Sequence, residues 1–242
     1  MRLVLVARRE DRLRQLADEL GGATVVAVDL TEEDAPAKVK EAVQREHGEL
    51  HLLVNNAGAA WRGTFGETGW ENLERHMKLN FEAPVRLTEA LLPLLRKTAA
   101  RTQTANGRRV SIVNVASTAG RVSRPRSGAY SASKFALIGW SDALYGEESE
   151  HGVHVGMVLP GFIKTEGFPA AELLGKASTR WLVSEPEEVA EAIIAAGPGG
   201  NPERYVPRFY WLAAATRILL PALIRRATRG GALTTATSSQ DP

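Results

Sequence analysis

Tyr130 and Lys134 are the two side chains of this sequence whose types and spacing best suit acid–base chemistry. A separation of four residues puts both on one face of a helix, about one turn apart. A phenol has a reference pKa of about 10, and a nearby ammonium stabilises the phenolate, which brings that pKa toward the neutral range. Alone, Tyr-x-x-x-Lys is a weak signal, because most such pairs are a half-buried tyrosine and a solvated lysine. The pair predicts proton transfer only if other groups join it.

Ser117 is the next candidate, because a hydroxyl directly after an apolar run could donate a hydrogen bond to a substrate oxygen. It follows Ser111–Ala116 and precedes Tyr130 by 13 residues. Open α/β sheets bind ligands at the carboxyl ends of their strands, where this serine would lie. On its own it is more often a turn serine. Two further turns follow apolar runs in the same way and are, singly, more often loops than sites: Asn55–Gly58 and Pro160–Thr165.

These candidates need a frame that brings separate strand ends together, and the hydrophobic pattern predicts one. Short apolar runs alternate with helix-length amphipathic segments, which is typical of a parallel sheet covered by helices on both faces. The predicted strands are Leu3–Ala7, Thr24–Asp29, Leu50–Asn55, Val110–Ala116, Val153–Leu159 and Arg204–Val206. The predicted helices are Glu10–Leu20, Thr31 to about His47, Leu73–Lys97 with a break or bend near Asn80, Gly128–Glu150 and Pro186–Ala196. The predicted fold class is α/β, a doubly wound, mostly parallel, three-layer sheet in a single domain.

Composition excludes several other classes of protein. The 242 residues suffice for one large domain, and a net charge of +2 gives no reason to expect a nucleic-acid partner. There is no cysteine, which removes thiolate catalysis and fits a cytoplasmic protein. The five histidines show no His-Glu-x-x-His arrangement, so no metal site is predicted. No apolar run approaches the roughly 18 residues of a membrane-spanning helix.

The order of these features closely resembles the short-chain dehydrogenase/reductase family from residue 1 to about residue 207. The motifs that carry the resemblance are Asn55–Gly58, Asn80, Ser117, Tyr130, Lys134 and Pro160–Thr165. It implies a Rossmann-type fold that interconverts a carbonyl and a secondary alcohol on an apolar small molecule. Tyr130 would be the general acid and base, and Ser117 would hold and polarise the reacting oxygen. Lys134 would lower the pKa of Tyr130 and bind the nicotinamide ribose, and Asn80 would anchor a water in a proton relay.

The resemblance also implies a nicotinamide dinucleotide cofactor. Where NAD-specific relatives have an aspartate, this sequence has Ala7 followed by Arg8 and Arg9. Two guanidiniums suit a 2′-phosphate, so NADP(H) is predicted in preference to NAD(H), with Arg8 as the main contact. The alternative is that both arginines are a solvated helix start. Besides Tyr130 and Lys134, the other implied cofactor contacts are Asp29, Asn56, Ala57, Gly58, Pro160, Gly161, Ile163 and Thr165.

The sequence departs from the family pattern near its start. Family members place a strand, a Thr-Gly-x-x-x-Gly-x-Gly loop and a helix ahead of the segment that resembles Leu3–Leu20, and this sequence has none of them. The absent strand would lie in the middle of the sheet beside Leu3–Ala7, and the absent loop would bind the pyrophosphate. Two explanations stay open: a recorded start that is too late, or a degenerate relative. We therefore expect the polypeptide as given to bind NADP(H) poorly or not at all, and the alternative function is a non-enzymatic binding or scaffold protein.

The C-terminal part divides into segments of different character. We expect a dinucleotide-binding domain over residues 1–207, an apolar and basic helical segment over 208–230, and a disordered tail over 231–242. The segment could lie on anionic lipid, making a weak membrane-surface contact through residues 209–229, or cover the substrate pocket. Packing against the domain or a second subunit is the favoured interpretation, and the resemblance implies a homodimer or homotetramer. The stretch 166–177, rich in alanine and leucine, suggests a lid and an apolar substrate.

Overall fold

Parallel strands form the centre of the protein. The computed structural model describes residues 2–102, 109–165, 175 and 180–229. The strands are β1 (Val4–Ala7), β2 (Thr24–Ala27), β3 (Leu52–Asn55), β4 (Val110–Val115), β5 (Val153–Pro160), β6 (Phe162–Ile163), β7 (Val183–Ser184) and β8 (Glu203–Val206). They pair in parallel in three groups, β1-β2, β3-β4-β5-β8 and β6-β7. All six strands predicted from the sequence are present, with ends that differ by at most two residues.

Helices cover both faces of the strands and give the doubly wound α/β fold in one domain. They are α1 (Glu10–Glu19), α2 (Ala35–Glu46), α3 (Phe65–Met77), α4 (Ala83–Thr102), α5 (Gly128–Ser149), α6 (Pro186–Ala196), α7 (Trp211–Leu219) and α8 (Pro221–Arg229). On one face, α2, α4 and α5 bury residues such as Val39, Leu91 and Leu144 against the strands. On the other face, α6 packs Ala192 and Ala196 against β4 and β5. None of the helices in the described ranges combines the length and apolarity that crossing a membrane requires.

The sheet is interrupted between β1 and β3. Among the described residues, β1 pairs with β2 and β3 pairs with β4, and no ladder joins the two groups. Between them lies a cavity of 1360 Å³, whose lining includes Val4 and Val6 on one side and Leu52 and Val54 on the other. This cavity occupies the position that the family resemblance gives to the absent strand. It is also the space that the candidate cofactor residues of β1 and β3 share.

Three helix ends differ from the sequence prediction. Helix α2 begins at Ala35 and not at Thr31, because the backbone N–H and hydroxyl of Thr31 both donate to Asp29 Oδ1, at 2.9 and 2.8 Å, and form a turn. Helix α4 continues to Thr102, five residues beyond the predicted end at Lys97. The first helical turn of α3 begins at Phe65, eight residues before the predicted start, and Gly69, with a φ of 58°, kinks the helix within this added stretch.

The break predicted near Asn80 is confirmed. A π-helical turn, Lys78–Glu82, joins α3 to α4, and it buries Asn80 completely. π-helical turns inside helices are rare and frequently lie at functional sites. Two sequence predictions fall wholly or largely outside the described residues: the lid stretch 166–177 except Gly175, and the tail 231–242.

An ion pair between the half-exposed Arg96 and the buried Glu148 joins α4 to α5, and its removal gives the first test of the fold. Arg96 Nε and Nη2 donate to Glu148 Oε2 and Oε1 at 2.9 and 2.6 Å, and Glu148 is 1% exposed. We expect Arg96→Ala to lower the free energy of unfolding by about 3 kcal/mol, because it leaves a buried carboxylate unpaired. Urea denaturation measures the change. The control is Lys38→Ala, which removes an exposed ion pair with Asp34 and is expected to cost below about 1 kcal/mol; equal losses in the two variants would contradict the expectation.

Candidate active site

Ser117 and Tyr130 meet at the carboxyl ends of β4 and β5. Ser117 follows β4 by two residues, and its hydroxyl lies close enough to the Tyr130 side chain, in the first turn of α5, to affect the pKa of the phenol. Its hydroxyl also accepts from Ala119 N at 3.1 Å and lies 3.3 Å from the carbonyl oxygen of Pro160, at the end of β5. Ser117 is 7% exposed, so these contacts fix the position of its oxygen. The structure therefore places the two hydroxyls side by side at the strand ends.

Tyr130 has a pKa above the ordinary value of a phenol. Burial is the largest cause and raises the pKa, whereas the hydrogen bond with Ser117 and the charges of Arg62 and Arg124 lower it and only partly offset the burial. From the sequence, Lys134 is expected to lower this pKa. In the structure the cations that act on Tyr130 are the two arginines, because Lys134 Nζ lies 6.0 Å from the centre of the Tyr130 ring and donates elsewhere.

Lys134 lies one turn after Tyr130 on α5 and points into the protein. It is 4% exposed, and its Nζ donates to the carbonyl oxygen of Val115 at 2.8 Å, the last residue of β4. Burial lowers the pKa of Lys134 to about 8, because removing water destabilises the charged form. A lysine with a pKa of about 8 can gain or lose its proton near neutral pH.

Asn80 links the loop after β3 to α5. Its Oδ1 accepts from Ala59 N, and its Nδ2 donates to Ala59 O and to Ser133 Oγ, at 3.0, 3.0 and 3.1 Å. Ser133 in turn donates to the carbonyl oxygen of Tyr130 at 2.8 Å. A Cβ on Gly58 would lie 3.0 Å from Asn80 Oδ1 and 3.5 Å from Lys134 Nζ. Only a residue without a side chain lets this loop approach so closely.

A cluster that no sequence motif marks covers Tyr130. His76 is fully buried at the end of α3, accepts from Trp61 N at its Nε2 (3.0 Å), and lies with its Nδ1 2.7 Å from Asn72 O. Burial lowers the pKa of His76, which keeps the ring neutral with Nδ1 as the donor. Its ring is edge-on to Trp61 at 4.9 Å and to Tyr130 at 6.1 Å. A neutral histidine thus holds the 59–63 loop over the tyrosine.

Arg62 and Arg124 come from the two loops that meet above Tyr130. The loops are joined where Gly63 N donates to Arg126 O at 3.0 Å. Arg124 also stacks on the ring of Phe162 at 4.7 Å. Burial lowers the pKa of both guanidiniums, although they remain cationic. No sequence motif marks either arginine, since only the folded loops bring them to Tyr130.

The residues expected at the adenosine end of the cofactor line the cavity between β1 and β3. These are Arg8, Asp29, Asn56, Ala57 and Gly58. Arg8 Nη1 lies 4.0 Å from Asp29 Oδ2, and Arg9 is the exposed residue before α1. Burial raises the pKa of Asp29, but the hydrogen bonds from Thr31 and the charges of Arg8 and Lys78 outweigh it, so the pKa lies below its usual value.

The Pro160–Thr165 segment lies at the other end of the site. Gly161 N donates to Val206 O at 2.8 Å, and a Cβ on Gly161 would lie 2.3 Å from Cε2 of Tyr210. Ile163 belongs to β6, and Thr165 is exposed. The structure therefore brings together Ser117, Tyr130, Lys134, Asn80, Gly58 and Pro160, while Arg8 and Asp29 lie across the cavity. Within the described ranges, no cluster of histidine and acidic side chains could hold a metal ion.

The chain is similar to known proteins along most of its length. A family model described as short chain dehydrogenase matches residues 1–172. Dehydrogenase/reductase SDR family member 7B of Xenopus laevis is 32% identical over 91% of this chain and 71% of its own length. The chain spans only about half the length of the proteins of that name from Danio rerio, Bos taurus and Mus musculus.

Solved structures show the same fold. A short-chain dehydrogenase from Streptomyces avermitilis has a TM-score of 0.72 and 28% identity, with 95% of this chain and 88% of that chain covered. Pseudomonas aeruginosa RhlG, in an active-site complex with NADP, has a TM-score of 0.69 and 25% identity, with 82% and 80% covered.

Proposed function

This chain belongs to the short-chain dehydrogenase/reductase family, and we propose that it is an NADP(H)-dependent oxidoreductase that interconverts a carbonyl and a secondary alcohol on an apolar small molecule. The family comprises oxidoreductases that act on small molecules with a nicotinamide dinucleotide. One observation carries the proposal: the Ser117 and Tyr130 side chains lie next to each other at the carboxyl ends of β4 and β5, with Lys134 one turn behind. This is the edge at which open α/β sheets bind ligands.

The proton chemistry is assigned to Ser117 and Tyr130. In carbonyl reduction, the Ser117 hydroxyl donates a hydrogen bond to the substrate oxygen, which polarises the carbonyl. The Tyr130 phenol gives its proton to the same oxygen as the alcohol forms. Because the pKa of Tyr130 lies above its ordinary value, the phenol is protonated at neutral pH and suits the role of acid.

The residues around the cavity fit a nicotinamide dinucleotide. The cofactor supplies the hydride for reduction. Arg8 would bind the 2′-phosphate, Asn56–Gly58 would line the adenosine side, and Lys134 would bind the nicotinamide ribose. Asn80 would serve the proton relay of Lys134, and Ile163 and Thr165 would meet the carboxamide and the phosphates. Gly58 lies between the adenosine and nicotinamide ends of the site, because a Cβ at this position would lie 3.0 Å from Asn80 Oδ1 and 3.5 Å from Lys134 Nζ.

The proposal is tested by hydride transfer and cofactor binding together. The protein is mixed with NADPH and a series of apolar ketones, and the loss of NADPH absorbance is followed at the highest practical cofactor concentration. The sequence contains no Thr-Gly-x-x-x-Gly-x-Gly loop, so we expect weak but saturable binding. Quenching of the five tryptophans measures that binding. The absence of both turnover and saturable quenching would overturn the proposal in favour of a scaffold protein.

Arg8→Ala tests the choice of cofactor. We expect the variant to bind NADPH about tenfold more weakly and NADH unchanged, because a charge-assisted bond to the 2′-phosphate is lost and NADH has no such group. Fluorescence titrations with both dinucleotides measure the two affinities. Arg12→Ala, an exposed arginine within α1, is the matched control. Equal losses for NADPH and NADH would show that Arg8 does not read the 2′-phosphate.

A further inference from the structure

The C-terminal helices α7 and α8 carry an exposed apolar face. Its members, named here the C-terminal face, are Trp211, Leu212, Ile218, Leu219, Leu220 and Leu223. Ile218 and Leu219 are 72% and 75% exposed, values far above those of the protein core. Helix α8 has no buried residue among those the structure describes, although its sequence is strongly amphipathic. Apolar side chains clustered on one surface in this way mark an interaction site.

Arginines border this face, and no acid accompanies them. Five arginines lie in residues 208–229 (Arg208, Arg217, Arg225, Arg226 and Arg229), and that segment contains no aspartate or glutamate. Since the whole chain has a net charge of only +2, the remainder of the protein is net negative. No ion pair joins any of these five guanidiniums to a carboxylate of the described residues. Positive charge is therefore concentrated around the apolar face.

An anionic lipid surface fits both properties. Apolar side chains enter the boundary between headgroups and acyl chains, and arginines bind the lipid phosphates beside it. Tryptophan is well suited to this depth, and Trp211 and Trp181 are both about half exposed. A second copy of the chain fits less well, because a two-fold contact would bring the same arginines of two subunits together without acids to neutralise them.

The face is connected to the site at the strand ends by aromatic packing. Trp181 packs on Phe209 at 4.9 Å, and Phe209 stacks on Tyr210 at 4.9 Å. Tyr210 in turn contacts Gly161, the residue after Pro160, whose carbonyl oxygen lies 3.3 Å from Ser117 Oγ. A surface that lies on lipid through α7 and α8 would therefore hold this end of the site close to the bilayer.

We propose that the C-terminal face binds anionic membrane surfaces, with α7 and α8 lying in the interface. The inference does not depend on the proposed reaction. The test is flotation of the full chain with phosphatidylcholine vesicles that contain about one third phosphatidylglycerol, compared with pure phosphatidylcholine vesicles. We expect binding to the anionic vesicles that weakens as salt is raised, together with a blue shift of tryptophan fluorescence that Trp211→Phe reduces.

Two sets of variants separate charge from apolar contact. The triple variant Arg225→Gln, Arg226→Gln, Arg229→Gln is expected to bind anionic vesicles roughly a hundredfold more weakly, at about fivefold for each charge. The double variant Ile218→Ser, Leu219→Ser is expected to lose binding by more than about tenfold. The matched controls, Arg45→Gln on α2 and Leu20→Ser after α1, are exposed residues elsewhere and should bind as the original chain does. Circular dichroism verifies that every variant is folded.

Three results would overturn the proposal. The first is binding that does not distinguish anionic from zwitterionic vesicles. The second is binding that the two sets of variants leave unchanged. The third is the absence of vesicle binding together with a dimer, measured by analytical ultracentrifugation, that Ile218→Ser and Leu219→Ser dissociate. The last result would assign the face to a second copy of the chain.

Discussion

Tyr130→Phe is expected to lower kcat/KM for carbonyl reduction by about 10²- to 10⁴-fold. The substitution removes one oxygen, the proton donor to the substrate, and keeps the ring that packs edge-on against His76 at 6.1 Å. Ser117 can still polarise the carbonyl, so a residual rate is expected. Steady-state rates of NADPH loss, with the same ketone and cofactor concentrations for both proteins, measure the ratio.

NADPH binding and a control variant show whether such a loss of rate comes from the missing proton donor. We expect the NADPH affinity of Tyr130→Phe, from tryptophan quenching, to stay within about threefold of the original value, because Lys134 and the cavity residues are unchanged. The matched control is Tyr145→Phe, farther along α5, where the hydroxyl is exposed and the rate should not change. Tyr130→Phe with a full rate would exclude the phenol as the acid. An equal loss in Tyr145→Phe would indicate damage to the helix.

The sequence predicted the cluster of Ser117, Tyr130 and Lys134 as candidates because local rules place each of them. Ser117 follows an apolar strand, and the other two are four residues apart on one helix. The carboxyl ends of parallel strands meet at one edge of a sheet, so residues distant in the chain come together there without further information. Local rules also placed the strands, whose bounds were predicted to within two residues from their apolar runs.

Features that depend on long-range contacts were beyond the sequence. Arg62 and Arg124 act on Tyr130 because two loops meet through the hydrogen bond from Gly63 to Arg126. His76 is neutral because the fold buries it, and its spacing from other residues gives no hint of that. Burial also raises the pKa of Tyr130, whereas the sequence, which shows only the nearby lysine, predicted that this pKa would fall.

Some misses had a local signal that went unused. Thr64 and Glu67 form a capping box at the start of α3, a pattern legible in the sequence as Thr-x-x-Glu. That pattern would have moved the predicted start from Leu73 to Phe65. Thr31 is the opposite case: its sequence suggested a helix cap, but its N–H and hydroxyl donate to Asp29 in a turn, and it does not cap α2. A capping sequence therefore competes with other local hydrogen bonds for the same groups.

Lys134→Met is expected to remove a pH dependence of stability that belongs to the original chain. Burial lowers the pKa of Lys134 to about 8, whereas a lysine in an unfolded chain has a pKa of about 10.4. Between these values the unfolded state binds a proton that the folded state does not, so the free energy of unfolding rises as pH increases from about 8 to about 10.4. Roughly 3 kcal/mol is expected over that range, at about 1.4 kcal/mol per pKa unit.

Urea denaturation of both proteins at several pH values measures this difference. The comparison is made variant against original chain, because Tyr205 and Tyr210, whose pKa values burial raises to about 12, also contribute at alkaline pH in both. Lys97→Met, an exposed lysine on α4, is the control and should leave the pH dependence as it is. Parallel pH curves for the original chain and Lys134→Met would mean that Lys134 titrates as an ordinary solvated lysine.

The rate of reduction should also depend on the titration of Lys134. It should fall as pH rises through about 8, whereas the free energy of unfolding rises. The ammonium form of Lys134, which would bind the nicotinamide ribose, predominates below a pH of about 8, so kcat/KM for NADPH, which reports titration of the free protein, should fall as pH rises through that value. Tyr130 does not cause this fall, because its pKa lies above the ordinary value of a phenol and the acid remains protonated. Lys134→Met should be slow at every pH and lack the alkaline fall near 8. A fall at the same pH in the variant would assign the titration to another residue and remove Lys134 from the proposed chemistry.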